Sequence, residues 1–121
     1  MEKTKVKKSQ IQEKNVSEYL GMKLTPRSGG TIYKKGDVTD ATFLLDCKTV
    51  MSPKESYSIK KEILEKADKE RFEDRKQYYG IVFDFGNPKN IGKDTFVVVP
   101  LETFKALYDA YRKENEDEFT I

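Results

Sequence analysis

Three residues suited to acid–base and metal chemistry occur within one short stretch of the chain. Asp37 is followed, after a gap of eight residues, by Asp46-Cys47-Lys48. Side chains alternate along a β-strand, so Asp46 and Lys48 would share one face of a strand and Cys47 would project from the other. A carboxylate and an ammonium group at the end of a buried strand are costly unless they are paired or used. The alternative is a solvated surface hairpin, because an Asp-x-Lys pattern is common by chance.

A second carboxylate would complete a metal site if two predicted strands pair. Asp37 lies near the end of a predicted strand at residues 33–38, and residues 41–48 are predicted as the next strand. In a hairpin of these strands, Asp37 and Asp46 could face one ion. Two carboxylates, the backbone carbonyl of Cys47 and waters suit a hard cation such as Mg²⁺. Lys48 would then orient or deprotonate an attacking water and stabilise negative charge in the transition state.

The amino-acid composition narrows the possible chemistry. Histidine is absent from the 121 residues and cysteine occurs once, which excludes histidine triads, internal disulfides and most zinc sites. Cys47 is predicted to be a small buried apolar residue rather than a nucleophile. A lone thiol fits a reducing compartment, and no segment approaches the roughly 18 apolar residues of a membrane span. We therefore expect a cytoplasmic protein without a membrane partner.

The net charge of +2 conceals an asymmetry between the two halves of the chain. Residues 1–61 hold 13 basic against 7 acidic side chains, which gives +6, whereas residues 62–121 hold 10 against 14, which gives −4. The positive half contains the Asp-x-Lys segment and Asp37. A positive field beside a carboxylate cluster is expected when the substrate is a phosphate backbone, although ordinary scatter of charges would produce the same pattern.

Hydrophobic periodicity and turn residues predict the order helix, strands, helix, two strands, helix. The helices are expected to begin near Ser9, Ser58 and Pro100. The later strands are expected at residues 79–85 and 95–99. This order predicts an α/β fold with a mixed central sheet flanked by helices.

The expected domain organisation is a single domain with short extensions at both ends. Residues 9–113 are predicted to form the domain. Residues 1–8 are expected to be a flexible basic arm, and residues 114–121 an acidic tail.

Four groups of residues resemble the PD-(D/E)xK nucleases in their order and spacing: Glu13, Arg27-Ser28-Gly29-Gly30, Gly36-Asp37-Val38 and Leu44-Leu45-Asp46-Cys47-Lys48-Thr49. Within that superfamily, the chain is most similar to the small Holliday junction resolvases of archaea and the resolvase-like proteins of bacteriophages. The resemblance covers about residues 9–100. It depends on the combination, because no single group is specific.

The resemblance implies a restriction-endonuclease-like fold and a metal-dependent endodeoxyribonuclease. Such an enzyme hydrolyses phosphodiester bonds with Mg²⁺, for which Mn²⁺ can substitute. The implied partner is DNA, branched at a four-way junction, and matched cuts in two strands imply a homodimer. For a phage protein the expected location is the cytoplasm of a bacterial host. Two alternatives remain open, a nicking or restriction-type nuclease of the same fold and a non-catalytic DNA-binding module.

The resemblance also implies roles for individual residues of the centre. Asp37 and Asp46 correspond to metal ligands, and Lys48 corresponds to the lysine of the D/E-x-K motif. Glu13 matches a glutamate that these nucleases place beside the metal, although Glu18 is a rival for that position. The residues predicted to be catalytic are therefore Glu13, Asp37, Asp46 and Lys48. Asp46 departs from the glutamate that is commoner in the resolvases, and its shorter side chain would change the metal geometry slightly.

Residues that contact DNA are predicted around this centre, and they are Arg27, Ser28, Gly29, Lys34, Lys35 and Thr49. Ser28 matches a serine near the scissile phosphate, but turn chemistry explains it equally well. The three basic side chains would contact phosphates or form a solvated face. Thr49 would contact phosphate or close the strand. A homodimer would use apolar surface beyond one small core, and the candidates are residues 96–99 and the last helix, with Tyr108 and Tyr111.

Overall fold

A mixed five-stranded sheet forms the centre of the computed structural model, which describes residues 2–25 and 37–119 and the side chains of residues 8–25 and 37–117. The strands lie in chain order, and they are β1 (Lys23–Leu24), β2 (Val38–Thr39), β3 (Phe43–Lys48), β4 (Tyr78–Asp84) and β5 (Thr95–Val98). Neighbouring strands are antiparallel, except that β3 and β4 are parallel. Parallel neighbours need a crossover connection, and a helix supplies it here.

Within the described ranges, four α-helices and one short 3-10 helix accompany the sheet. They are α1 (Glu2–Leu20), α2 (Lys61–Glu73), α3 (Ile91–Asp94), α4 (Leu101–Glu114) and the 3-10 helix η1 (Glu116–Phe119). The crossover between β3 and β4 contains α2. This arrangement confirms the predicted α/β domain with a mixed sheet. None of the helices in the described part of the chain is both long and apolar enough to cross a membrane.

One face of the sheet packs against α1. Val16 of α1 belongs to a buried cluster whose other members come from three adjacent strands, namely Val38, Leu45, Cys47 and Val82. The strand residues of this cluster project from one face, because side chains alternate along each strand. Cys47 is buried within this cluster, which confirms its predicted place in the core.

The opposite face packs against α2. Leu44 and Ile81 project from this face and are fully buried, and α2, whose Ala67 is also buried, contacts both β3 and β4. The alternation that buries Leu44 places Asp46 and Lys48 on the same face, nearer the carboxyl end of β3. The candidate site is therefore attached to a strand that helices cover on both sides.

The first helix begins earlier than the sequence predicts. It starts at Glu2, so residues 2–8 are helical turns of α1 where a flexible arm was expected. Ser9 is consequently not an N-cap. Its hydroxyl instead donates a hydrogen bond to Oε2 of Glu13, one turn along, at 2.8 Å. A serine hydroxyl can bond to local groups inside a helix as well as at its start, which is why the capping pattern was misleading.

The other element boundaries agree with the sequence prediction to within three residues. The exception is the strand predicted at residues 33–38, because residues 33–36 lie outside the described ranges. The turn expected after β4 contains the one-turn helix α3, and β1 has only two residues. Both are too short for hydrophobic periodicity to reveal. Residues 114–119 of the predicted acidic tail include the end of α4 and η1.

Candidate active site

Asp37 and Asp46 lie close together beside the antiparallel pair of β2 and β3, and their side chains share a hydrogen bond. The paired register of β2 begins with Val38 opposite Leu45, and Asp37 is the residue just before it. The backbone N–H of Asp37 donates to the carbonyl of Leu45 at 2.9 Å, and Oδ2 of Asp37 accepts the backbone N–H of Cys47 at 2.7 Å. These bonds make the two carboxylates neighbours, as the hairpin prediction required.

Lys48 completes a group of three neighbouring charged side chains. Its Nζ lies 2.9 Å from Oδ2 of Asp46. The side chain of Lys48 keeps 32% of its surface exposed and that of Asp46 keeps 20%. At this intermediate burial the charges interact more strongly than in bulk water, yet a substrate can still reach them. The structure thus brings together the three residues that the spacing singled out, Asp37, Asp46 and Lys48.

The surroundings of Asp46 favour its protonated form. Burial, followed by the hydrogen bond and the negative charge of Asp37, raises the pKa of Asp46 from 3.8 to about 6, although Lys48 acts in the opposite direction. Burial alone would lower the pKa of Lys48, but its hydrogen bond to Asp46 and the charges of both carboxylates leave that pKa above its ordinary value. The site therefore holds an Asp46 carboxyl group that resists ionisation beside a firmly protonated ammonium group.

Tyr57 is a neighbour of this group that the sequence reasoning did not identify. Its ring stacks on Phe83, with centroids 4.7 Å apart and planes inclined by 15°. The register of β3 and β4 pairs Phe83 with Lys48, so Tyr57 lies beside the site across one strand. Burial raises the pKa of the Tyr57 phenol, and the charges of Lys48 and Asp46 act on it in opposite directions. Only the alternation along β4, which puts Phe83 on the Lys48 face, could have indicated this position.

The loop that carries Tyr57 is fixed at its start against the end of β4. The backbone N–H of Lys54 donates to the carbonyl of Phe85 at 2.9 Å. Gly86 adopts a φ of 96°, and a Cβ atom at this position would lie 2.9 Å from Cα of Pro53. Glycine is needed there for both reasons, since other residues rarely adopt this conformation and any side chain would displace the loop.

Glu13 is placed on α1 and does not form one cluster with the two aspartates. It is buried, with 3% of its surface exposed, and accepts the hydrogen bond from Ser9. α1 packs against the sheet face of Leu45 and Cys47, whereas Asp46 projects from the other face. Among the side chains of residues 8–25 and 37–117, no group of three or more His, Cys, Asp or Glu could hold a metal ion. The metal-side role of Glu13 stays a prediction.

Gln12 links α1 to the carboxyl ends of β3 and β4. Its Nε2 donates to the backbone carbonyl of Lys48 at 2.8 Å and to Oδ2 of Asp84 at 3.0 Å. Its Oε1 accepts from the hydroxyl of Thr49 at 3.0 Å, and Oδ1 of Asp84 accepts the backbone N–H of Gly86 at 2.8 Å. Thr49 directly follows β3 and is bound through its hydroxyl to α1, and closing the strand, one of its two predicted roles, stays a prediction. A phosphate contact by Thr49 stays a prediction.

A cavity of about 700 Å³ opens on the α1 side of the sheet, next to the Gln12 network. Its wall includes Gln12, Thr49 and Asp84, together with Lys8 and Lys89. The Asp37, Asp46 and Lys48 side chains do not line it. The cavity is therefore separate from the candidate centre, which lies on the other face of the sheet.

The remaining predicted DNA contacts lie outside the described residues, and they are Arg27, Ser28, Gly29, Lys34 and Lys35. Their roles stay predictions. The proposed metal contact through the carbonyl of Cys47 also stays a prediction, because the bond that the structure describes between Cys47 and Asp37 uses the backbone N–H.

Comparison of the chain with protein-family models, with curated protein sequences and with solved structures finds no match.

Proposed function

We propose that this protein is a metal-dependent endodeoxyribonuclease whose active centre contains Asp37, Asp46 and Lys48. The observation that carries the proposal is the meeting of two carboxylates, whose side chains share a hydrogen bond, with a lysine 2.9 Å from one of them. This arrangement of two acids and a lysine is what the resemblance to PD-(D/E)xK nucleases implies, and a restriction-endonuclease-like fold belongs to the same proposal. Binding alone would not require partly buried carboxylates near a phosphate, which favours an enzyme over a binding module.

The donor set fits Mg²⁺, with Mn²⁺ as a substitute. Mg²⁺ prefers oxygen ligands and is commonly held by one or two carboxylates, with waters and substrate phosphates completing its coordination. Asp37 and Asp46 provide two such carboxylates. Their mutual repulsion, which contributes to the raised pKa of Asp46, is the electrostatic condition that a cation would relieve. When bound, the ion would polarise the scissile phosphate and make a water more acidic.

Lys48 is assigned the role of a fixed cation. Its raised pKa keeps the ammonium group protonated near neutral pH, so orientation and charge stabilisation are favoured over proton abstraction. The hydrogen bond to Asp46 holds Nζ in place, and an ammonium group has three donors. One donor can serve Asp46 while another binds a phosphate oxygen. A positioned donor of this kind stabilises the negative charge that develops during phosphodiester hydrolysis.

The substrate is proposed to be DNA, and specifically branched DNA. The excess of +6 in residues 1–61 supports a phosphate-rich partner for the half of the chain that holds the centre. Selectivity for four-way junctions is a finer proposal that depends on the resemblance to the resolvases. Matched cuts in two strands require two active centres, which a twofold homodimer supplies.

Cleavage assays with purified protein test the activity. Linear duplex, single-stranded and four-way junction DNA should be compared in Mg²⁺, Mn²⁺, Ca²⁺ and chelator. We expect cleavage in Mg²⁺ or Mn²⁺, binding with little turnover in Ca²⁺, and faster cutting of the junction. Full activity in chelator would refute the metal assignment. Equal nicking of linear and branched DNA would refute junction selectivity, and DNA binding without cleavage under every condition would favour the non-catalytic module.

Thermal denaturation provides a measurement that does not require activity. A ligand that binds only the folded state raises the free energy of unfolding by RT ln(1 + [L]/Kd). Mg²⁺ should therefore raise the melting temperature of the wild-type protein and have little effect on Asp37→Asn or Asp46→Asn. Glu65→Gln, an exposed change on α2, is the matched control and should respond to Mg²⁺ like the wild type. Equal responses in all four proteins would refute the assignment of the metal to these aspartates.

A further inference from the structure

Four aromatic side chains contact one another beside the candidate centre, and we call them the aromatic cluster: Tyr57, Phe83, Phe85 and Phe96. Tyr57 stacks on Phe83, and the ring centroids of Phe83 and Phe96 lie 5.8 Å apart with planes inclined by 30°. Phe85 meets the rings of Phe83 and Phe96 at steep angles, with centroids 5.5 Å and 5.8 Å away. Three roughly parallel rings therefore form a row, and the fourth ring supports it from the side.

The sheet register places this row next to Lys48. Phe83 pairs with Lys48 on β3 and with Phe96 on β5, so the three residues lie side by side on adjacent strands. Paired residues of neighbouring strands project from the same face of a sheet, and neighbouring strands are about 4.8 Å apart. The backbone of Phe96 is therefore roughly 10 Å from that of Lys48. The aromatic cluster extends the face of the candidate centre towards the β5 edge of the sheet.

Exposure increases along this face towards β5. Ile81, which alternates with Phe83 on the same face of β4, is fully buried, whereas Phe83 and Phe85 are half-buried. Phe96 keeps 44% of its surface exposed. A single exposed phenylalanine would need no explanation, but Phe96 ends a row of stacked rings that begins beside a charged centre. It therefore offers a flat apolar surface to which a further planar group can be added.

Two lysines lie next to the aromatic cluster. Lys48 is one strand away from Phe83, and its side chain is 32% exposed. The exposed Lys54 donates its backbone N–H to the carbonyl of Phe85. Cations that hold phosphates next to aromatic rings that stack bases are the combination by which proteins bind single-stranded nucleic acid. The charge pattern therefore selects a ligand that carries both anionic groups and planar aromatic groups, which an apolar peptide does not.

The base of such a ligand must be unpaired. In a continuous duplex each base is covered on both faces by its neighbours, so only a base that has left the stack can lie flat on a protein ring. We propose that the aromatic cluster is a stacking site for an unpaired DNA base. Phe96 is the ring that receives the base, and Lys48 contacts a phosphate of the same strand.

The inference rests on the proposed function for the phosphate at Lys48, and it narrows the substrate class of that centre. Single-stranded segments and the open pairs at a branch point supply unpaired bases, whereas uninterrupted duplex does not. The stacking itself requires neither a metal ion nor cleavage, so it can be measured by binding alone.

Binding of two fluorescein-labelled strands of equal length isolates the contribution of the bases. An oligothymidylate carries bases, and an abasic strand carries the same phosphates without them. In Ca²⁺, fluorescence anisotropy should show that the wild type binds the oligothymidylate about tenfold or more tightly, the effect expected of one base stacked on an aromatic side chain. Phe96→Leu should remove most of this preference and leave the affinity for the abasic strand unchanged, because it removes the ring and keeps an apolar side chain.

Two further variants serve as controls. Phe96→Tyr retains a ring at the same position and should keep the wild-type preference for bases. Phe72→Leu removes an exposed aromatic ring from α2 and should keep this preference as well. Phe96 lies on an edge strand and is partly exposed, so its variants should stay folded, which thermal denaturation checks.

Two results would overturn the stacking site. One is equal affinity of the wild type for the two strands. The other is a base preference that Phe96→Leu leaves intact, including the case in which this variant changes only the oligomeric state. The cleavage assays give an independent answer. Cleavage by a protein without base preference would refute the stacking site alone, whereas a Phe96-dependent preference in a protein that cuts no DNA would support the stacking site and refute the nuclease.

Discussion

The carboxylate of Asp37 accepts a hydrogen bond from the backbone N–H of Cys47, with 2.7 Å between Oδ2 and the nitrogen. Cys47 lies between Asp46 and Lys48, so this bond fixes one carboxylate against the segment that carries the other two charged groups. A carboxylate that accepts from a backbone N–H forms a charge-assisted bond, which is stronger than a neutral one. Asp37 therefore has a structural role besides its proposed role in metal binding.

Two substitutions separate these roles of Asp37. Asp37→Asn keeps an oxygen that can accept the Cys47 N–H, whereas Asp37→Ala leaves that donor without its partner. We expect Asp37→Ala to be less stable than Asp37→Asn by about 1–3 kcal/mol in urea denaturation. Both variants should lose Mg²⁺-dependent cleavage, because neither retains the carboxylate. Equal stability of the two variants would show that the bond to Cys47 does not stabilise the fold.

The raised pKa of Asp46 predicts that stability falls as the pH rises. Below pH 3.8 the Asp46 carboxyl is protonated in both the folded and the unfolded protein. Between pH 3.8 and about 6 only the unfolded chain releases this proton. Above about pH 6 the Asp46 carboxyl is ionised in the folded state as well, so the full loss of stability is reached there. From this group alone we expect a loss of about 2–3 kcal/mol between pH 4 and pH 8.

Asp46→Asn isolates this effect, because asparagine does not titrate. In chelator, the variant should gain stability relative to the wild type as the pH rises from 4 to 8, and the gain should level off above about pH 6. Urea denaturation at each pH measures the difference. A difference between the two proteins that is constant over this range would contradict the assignment of the raised pKa to Asp46.

Replacement of Lys48 is expected to affect cleavage more than DNA binding. Lys48→Ala should lower the cleavage rate by about 100-fold or more, because the ammonium group is proposed to stabilise charge in the transition state. DNA affinity, measured in Ca²⁺, should change by only a few-fold. Lys66→Ala, at an exposed position on α2, should cut like the wild type. A Lys48→Ala protein with near-wild-type cleavage would mean that the active centre lies elsewhere.

The sequence could predict the centre of the site because local rules determine it. The period of two along β3 places Asp46 and Lys48 together and buries Cys47. A short turn pairs β2 with β3, and Asp37 directly precedes β2. The composition and element order were enough to predict the mixed α/β sheet. These features depend on neighbours in sequence, for which alternation and turn chemistry are reliable guides.

The surroundings of the site could not be predicted, because they depend on contacts between distant residues. Gln12 and Asp84 are separated by 72 positions, and only the packing of α1 on the sheet brings them within 3.0 Å. Tyr57 reaches Phe83 through a loop whose path depends on the close approach of Pro53 and Gly86. Neither pair leaves a periodic pattern in the sequence. The early start of α1 was missed because Ser9 resembles a cap while its hydroxyl serves Glu13.

The Gln12 network is expected to support the fold from the side opposite the proposed centre. Gln12→Ala would remove the partners of the Lys48 carbonyl, of Asp84 and of the Thr49 hydroxyl in one step. Because Asp84 is buried, we expect a loss of about 1–3 kcal/mol or more in urea denaturation. Asn15→Ala, at an exposed position on the same helix, should cost much less. Similar losses in both variants would indicate that the network does not stabilise the fold.

Tyr57 provides a test of how far the active centre extends beyond the three charged residues. Its phenol is close enough to Lys48 and Asp46 for their charges to act on it, while its ring stacks on Phe83 at 4.7 Å. Tyr57→Phe keeps the stack and removes only the hydroxyl. If the hydroxyl helps Lys48 to hold a phosphate oxygen, cleavage should fall by about tenfold, which corresponds to about 1.4 kcal/mol of transition-state stabilisation.

Tyr57→Ala removes the ring as well and should also lower the free energy of unfolding by about 0.5–1.5 kcal/mol, the usual contribution of a stacked aromatic pair. Tyr79→Phe is the matched control. Tyr79 is also partly buried, but the charges that act on its phenol come from Asp68, Arg71 and Glu102 rather than from the centre. Loss of its hydroxyl should therefore leave cleavage unchanged. Wild-type cleavage by Tyr57→Phe, combined with reduced stability of Tyr57→Ala, would restrict Tyr57 to a packing role and confine the centre to Asp37, Asp46 and Lys48.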